Sequence, residues 1–248
     1  MPHFRMVAVT AGIAVPLALG VAPAAAQGPF NATLGGSVSP VIRGFPESPQ
    51  ALSLRIDVTF DTTPPGGAPP TIGRAVISFP YGARLNARRF PSCTAARLKG
   101  GPARCPRGSR LGTGSVTAAV NNQEIPVQLD LVNGPRGRSI LFLFRASTPV
   151  NIAEVVQAPL QTISDARYRY RLTLEVPQVL QQPVAGLTVG VKRFTSTLQR
   201  KTVRVRGERV GFVEGLACPP GARIPLRGDF TYVNAGNQSV DSFLTCGG

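Results

Sequence analysis

From Leu52 to Phe60 hydrophobic and polar residues alternate with period two. Leu52, Leu54, Ile56, Val58 and Phe60 fall on one side, and Ser53, Arg55, Asp57 and Thr59 on the other. Successive strand side chains point to opposite faces, so this segment reads as a half-buried antiparallel strand. The pattern predicts Leu54, Ile56 and Val58 buried, and Arg55 and Asp57 exposed. Arg74–Phe79 reads as the next strand, stopped by Pro80. Similar runs follow at Ser115–Val120, Ile125–Val132, Ser139–Ala146, Arg167–Val176, Leu187–Phe194, Val203–Val205, Val210–Leu216, Phe230–Val233 and Val240–Leu244. Turn residues separate nearly all of them. Helix signals are sparse: Thr94–Lys99 has room for one or two turns, and Asn151 caps a possible start that Pro159 ends.

Many short runs divided by turns predict an all-β fold, a large antiparallel two-layer β-sandwich of about 10–12 short strands with at most one or two short helices. Composition agrees. The 248 residues include 27 Gly and 24 Pro, and 43% are hydrophobic against 16% charged, too apolar for a disordered chain. Residues 27–50, rich in Gly, Ser and Pro, are expected to be an irregular surface segment. No compositional break marks a linker within 51–248, which predicts a single sandwich domain, with two smaller domains as the alternative.

Residues 1–26 have the layout of a cleaved secretory signal peptide. Arg5 gives the positive start, Met6–Val21 the apolar stretch, and Ala24-Ala25-Ala26 the small-residue cleavage pattern. The longest wholly apolar run afterwards, Ile140–Phe144, is far too short to cross a bilayer as a helix, so no transmembrane segment is expected in the mature chain. The expected location is extracytoplasmic. In that compartment an even set of cysteines reads as disulfides. Proximity favours Cys93–Cys105 and Cys218–Cys246 over the other two pairings.

The only histidine, His3, lies in the leader. Its removal excludes a Ser-His-Asp triad, His-ligated metal and a His general base from the mature protein. No Ser-x-x-Lys, Gly-x-Ser-x-Gly or phosphate-binding loop occurs, and Leu111-Gly-Thr-Gly114 reads as a strand entry or bulge. No catalytic residue, cofactor or metal site is assigned. Arg227-Gly228-Asp229 reads as a strand entry with chance lettering.

Charge is the remaining signal: 27 Lys and Arg against 12 Asp and Glu give +15. Arg167, Arg169 and Arg171 alternate with Tyr168, Tyr170 and Leu172, which puts three guanidinium groups on one strand face. Lys192, Arg193, Arg204 and Arg206 form a second basic block. Arginine pairs bidentately with phosphate and carboxylate, so these residues are candidate anion sites. Their candidate partners are an anionic envelope polymer or lipid head groups. Nucleic acid is not expected, because export and the scarcity of aromatic platforms argue against it.

The runs Phe90-Pro-Ser-Cys93 and Cys105-Pro-Arg-Gly-Ser-Arg-Leu-Gly-Thr-Gly114 resemble a pattern of secreted, disulfide-bonded β-proteins of high-GC bacteria. Cys218-Pro219, Gly228-Asp-Phe-Thr-Tyr232 and the closing Cys246 are similar to that pattern as well. The resemblance implies export and a disulfide-bonded β fold, and carries over no activity or site residue. The expected function is therefore a secreted, non-catalytic binding or structural module of the cell envelope or medium, with a preference for anionic partners. The rivals are an exported carboxylate-dependent hydrolase acting on glycans and, disfavoured by the lack of Trp and by the disulfides, an outer-membrane barrel.

Overall fold

A computed structural model describes residues 30–43, 48–62, 66–121, 123–148 and 151–247. The expected leader, 1–26, lies outside the described residues. The chain runs through β1 (Phe30–Ser39), β2 (Gln50–Thr62), β3 (Ile72–Pro80) and β4 (Ala83–Leu85), then α1 (Ala95–Lys99). Next come β5 (Arg110–Val120), β6 (Gln123–Asn133), β7 (Ser139–Ala146), β8 (Ile152–Thr162), β9 (Tyr168–Glu175) and α2 (Gln178–Gln181). It finishes with β10 (Gly190–Leu198), β11 (Thr202–Val205), β12 (Glu208–Gly211), β13 (Val213–Gly215), β14 (Arg223–Tyr232) and β15 (Gly236–Cys246).

The mostly-β expectation holds, but the strands do not divide into two layers. The order β1-β15-β14-β3-β9-β8-β7-β6-β5-β10-β2 returns to β1, which pairs with β2 from Phe30↔Thr62 to Ser39↔Ser53. Eleven strands thus close into a barrel. An odd ring cannot alternate direction all the way round, so one junction must be parallel. It is β1–β15, in register at Gly36↔Leu244, Ser37↔Thr245 and Val38↔Cys246. Side chains reinforce this short seam: Ser242 donates to the Leu34 carbonyl, and the Gln238 side-chain oxygen accepts from the Ala32 N–H at 3.0 Å and the Tyr232 hydroxyl at 2.6 Å. Burial pushes the Tyr232 hydroxyl up to about 12.

Glycines make the bends that closure requires. A Cβ on Gly112 would stand 1.8 Å from the Thr197 carbonyl oxygen, on Gly114 2.2 Å from that of Thr195, and on Gly36 2.1 Å from that of Arg55. Only residues without a side chain let neighbouring backbones fold so sharply inward. Gly112 and Gly114 therefore turn a barrel corner within β5.

Several segments depart from the sequence expectation: Val210–Leu216, read as one run, divides between β12 and β13, the helix α2 is unexpected, and two further segments change type. Residues 30–39, inside the stretch expected to be irregular, form β1, with Ala32, Leu34 and Val38 buried. Residues 152–157, within the possible helix start at 151–157, belong instead to β8. Pro159 is tolerated because the β8–β9 ladder spans only Leu160–Thr162, just beyond it. Elsewhere the periodicity holds: Leu52, Leu54, Ile56, Val58 and Phe60 are all buried, and α1 forms with the Thr94 side chain accepting from the Arg97 N–H. Both expected disulfides are present, with Cα separations of 5.3 Å for Cys93–Cys105 and 5.4 Å for Cys218–Cys246.

The apolar run Ile140–Phe144 is buried on both sides. Ile140, Phe142 and Phe144 enter the main core, while Leu141 and Leu143 lie on the outer face under Leu98 of α1. Among the described residues no helix is long and apolar enough to cross a membrane. The barrel has hydrocarbon inside and charged side chains such as Arg55, Asp57, Arg74 and Arg171 outside. This is the reverse of a lipid-embedded barrel, whose outer band is apolar.

Candidate functional site

Closing eleven strands leaves more lumen than the inward side chains fill, since barrel diameter grows with strand number. A cavity of about 180 Å³ remains, with a smaller void of about 40 Å³ deeper in the lumen. Small side chains create the space: Ala75 on β3, Ala118 on β5 and Ala146 on β7 line it together with Leu172 and Leu174 on β9 and Phe194 on β10. Thr148 and Ser196 are the two polar residues in the lining, and none of its side chains titrates.

The two ends of the barrel differ. At the cavity end the 176–189 connector, carrying α2, lies across the lumen and lines it with Leu180, Pro183 and Leu187. Gln181 holds this connector in place, its side-chain N–H donating to the Val176 carbonyl and its own carbonyl accepting from the Val189 N–H. The described connector residues at this end, 66–71, 121, 147–148, 151, 176–189 and 233–235, include no Asp, Glu, Lys or Arg.

The opposite end is stoppered. Phe90 and Phe212 meet edge to face with ring centroids 5.2 Å apart, both buried in the main core. Asn133, fully buried at the end of β6, directs its side-chain N–H₂ at the carbonyls of Ala87, Phe90 and Pro91, at 2.9, 3.2 and 3.0 Å. Its backbone bonds to Cys93 and Ser109 as well. Glu214, also buried, accepts from the Gly211 N–H at 2.7 Å and the Asn86 side chain at 2.8 Å. Both disulfides sit at this end, and so does most of the positive charge. Segment 81–109 alone carries Arg84, Arg88, Arg89, Arg97, Lys99, Arg104 and Arg107 with no acidic residue.

The candidate anion residues do not converge. Arg167, Arg169 and Arg171 are exposed beside β8 and β3, as the alternation predicts. Arg169 lies over the Tyr170 ring at 5.5 Å. Lys192 and Arg193 are on β10, across the ring from β9, and both are engaged: Lys192 reaches Glu124 at 2.8 Å and Arg193 reaches Asp57 at 2.7 Å. Arg204 and Arg206 belong to the β11–β12 hairpin outside the barrel, where Arg204 faces Arg209 in register.

Among the described residues the acids form no facing pair across a cleft. Asp229 and Asp241 share Arg227, at 3.0 and 3.5 Å, on the outer surface of β14 and β15. The Arg-Gly-Asp run lies mid-strand, with Arg227 bonded to Asp229 and Gly228 turned inward beside Phe230. Sequence reasoning missed three polar residues: Asn133, Glu214 and Asp130. Asp130 is clamped on the outer face between Arg110 and Arg145, each at 2.6 Å. It also missed the cavity, whose one local signal is small residues at inward positions near strand ends. Comparison of the chain with protein-family models, curated proteins and solved structures finds no match.

Proposed function

We propose that this is an exported, non-catalytic binding protein whose barrel takes a small apolar group into its lumen. The observation that carries the reading is the cavity of about 180 Å³ lined almost wholly by hydrocarbon. An apolar cavity of about 150 Å³ stays dry and takes up benzene, so this one has room for a single ring or the tip of an alkyl chain. It is too small for a whole lipid, because sites for drug-sized ligands run to about 300–1,000 Å³. The absence of titrating side chains from the lining supports binding over chemistry there. The two disulfides support the extracytoplasmic setting.

Benzene and octanoate serve as probes in a methyl NMR titration. Shifts should concentrate at Val116, Ala118, Leu172 and Leu174. The double variant Ala75→Leu, Ala118→Leu should remove them while raising thermal stability by filling the void. Unshifted lumen methyls at saturating probe, or equal binding by the filled variant, would overturn the reading.

A further inference from the structure

The barrel is electrically two-ended. Its strands of about ten residues separate the ends by roughly 30 Å, several times the Debye length of about 8 Å at physiological salt. Each end therefore presents its own charge to a surface, and the net +15 is not felt evenly. One end is the uncharged set of connectors around the cavity. The other gathers the arginines of 81–109, with Arg136, Arg138, Arg200 and Arg223 from neighbouring connectors and strand ends, all exposed.

Exposed apolar side chains stand out in this cationic surface: Tyr81, Leu216 and Phe243, the last beneath the Arg223 guanidinium at 4.1 Å. Tyr81 is 50% and Leu216 43% exposed; Tyr81 shortly precedes β4 and Leu216 directly follows β13, the two short strands that pair through Gly215↔Ala83. That rung lies level with Gln50, the first residue of β2, at the extremity of the disulfide end. Cations supplied by several separate segments form a broad face rather than a single channel, and such a face matches an extended surface better than one polymer strand. Exposed Tyr and Leu among arginines are suited to the headgroup layer, where an aromatic ring and an alkyl group enter beneath paired phosphates.

We infer that the protein docks by its disulfide end on an anionic phospholipid bilayer, which leaves the cavity end facing away. The inference is independent of what the lumen binds. Field alone orients the molecule, because the cavity-end connectors offer an anionic surface no charge to hold.

The test is co-sedimentation of the disulfide-intact protein with vesicles of phosphatidylcholine, alone or mixed with phosphatidylglycerol, at low and high salt. Binding should require phosphatidylglycerol and weaken with salt. Each cation contributes about fivefold at such a surface, so Arg84→Ser, Arg88→Ser and Arg89→Ser together should lower partitioning about a hundredfold. Arg74→Ser, Arg171→Ser and Lys192→Ser remove the same charge from strands and should cost far less. The chain has no Trp, so Tyr81→Trp and Val184→Trp provide single reporters at opposite ends. The first should shift to the blue on vesicles and the second should not. Equal losses in the two triple variants, a shift at position 184, or binding to soluble polyphosphate without binding to vesicles would overturn the inference.

Discussion

Arg193 grips Asp57 with two hydrogen bonds, Nε to Oδ1 at 3.0 Å and Nη2 to Oδ2 at 2.7 Å, tying β10 to β2 on the outer face. Arg55 adds a third contact at 3.3 Å. Partial burial pushes the Asp57 carboxyl up, but the bonds from Arg193 and then Arg55 prevail and hold it below its ordinary value. A depressed folded-state pKa stabilises above the unfolded value, about 3.9, and that stabilisation is lost as pH falls through the folded value. Asp57→Asn should therefore lower stability at pH 7 by about 0.2–1 kcal/mol, the usual range for a partly exposed pair. Thermal unfolding followed from pH 7 to pH 2 should show variant and parent converging below about pH 4. A gap that does not change with pH would mean that charge is not the cause.

Gly112→Ala tests the barrel corner. The new methyl would meet the Thr197 carbonyl oxygen, so β5 and β10 must separate, at a cost of about 3 kcal/mol or more. Gly35→Ala is the matched control, since a Cβ there meets nothing within 4 Å. It should be neutral or gain about 0.5 kcal/mol from reduced chain freedom. Denaturant midpoints of the two variants should move apart, and comparable midpoints would remove the argument that Gly112 is required for closure.

Asn133→Leu keeps the shape of the side chain but leaves the Ala87, Phe90 and Pro91 carbonyls without their donor. The expected cost is about 2–4 kcal/mol, which for a chain of this size lowers Tm by about 4–16 °C. Hydrogen exchange should accelerate first in 87–93, the segment Asn133 pins. A loss of protection that begins in β9 or β14 would show that the stopper is held by other contacts.

The parts of the fold legible in the sequence are those that depend on local order. Alternation at Leu52–Phe60 and Arg167–Leu172 reports which side chains face the core whichever way the sheet curves, and cysteine proximity suffices for both bridges. Closure depends on Gly36 meeting Leu244, a pairing between opposite ends of the chain that no window of sequence contains. In β1 the apolar alternation of Ala32, Leu34 and Val38 is interrupted at Gly36, and the segment therefore reads as loop. In β8 Ile152, Val155 and Val156 have helical spacing, yet Val156 and Ala158 are the residues that sheet pairing buries. The cavity was hidden because Ala75, Ala118 and Ala146, on three strands that are not adjacent in the sheet, come to line one space only in the folded barrel. The charge segregation was within reach: successive antiparallel strands return connectors to alternate ends, so reading every second connector together would have separated the neutral set from the basic one.

The parallel seam also has a temporal meaning. β1 can join β2 as soon as both exist, but its other edge waits for β15, and Leu34 and Ser242, which bond across that seam, are 208 residues apart. Until then the growing sheet has two free edges, the form in which strands recruit other chains. Loop closure over such a distance makes this a late and slow event in folding. Any change that weakens the grip of Gln238 or Ser242 on β1 would therefore act after most of the structure has formed. It would prolong an open-edged, nearly complete intermediate and raise the yield of aggregate more than it lowers the stability of the finished molecule.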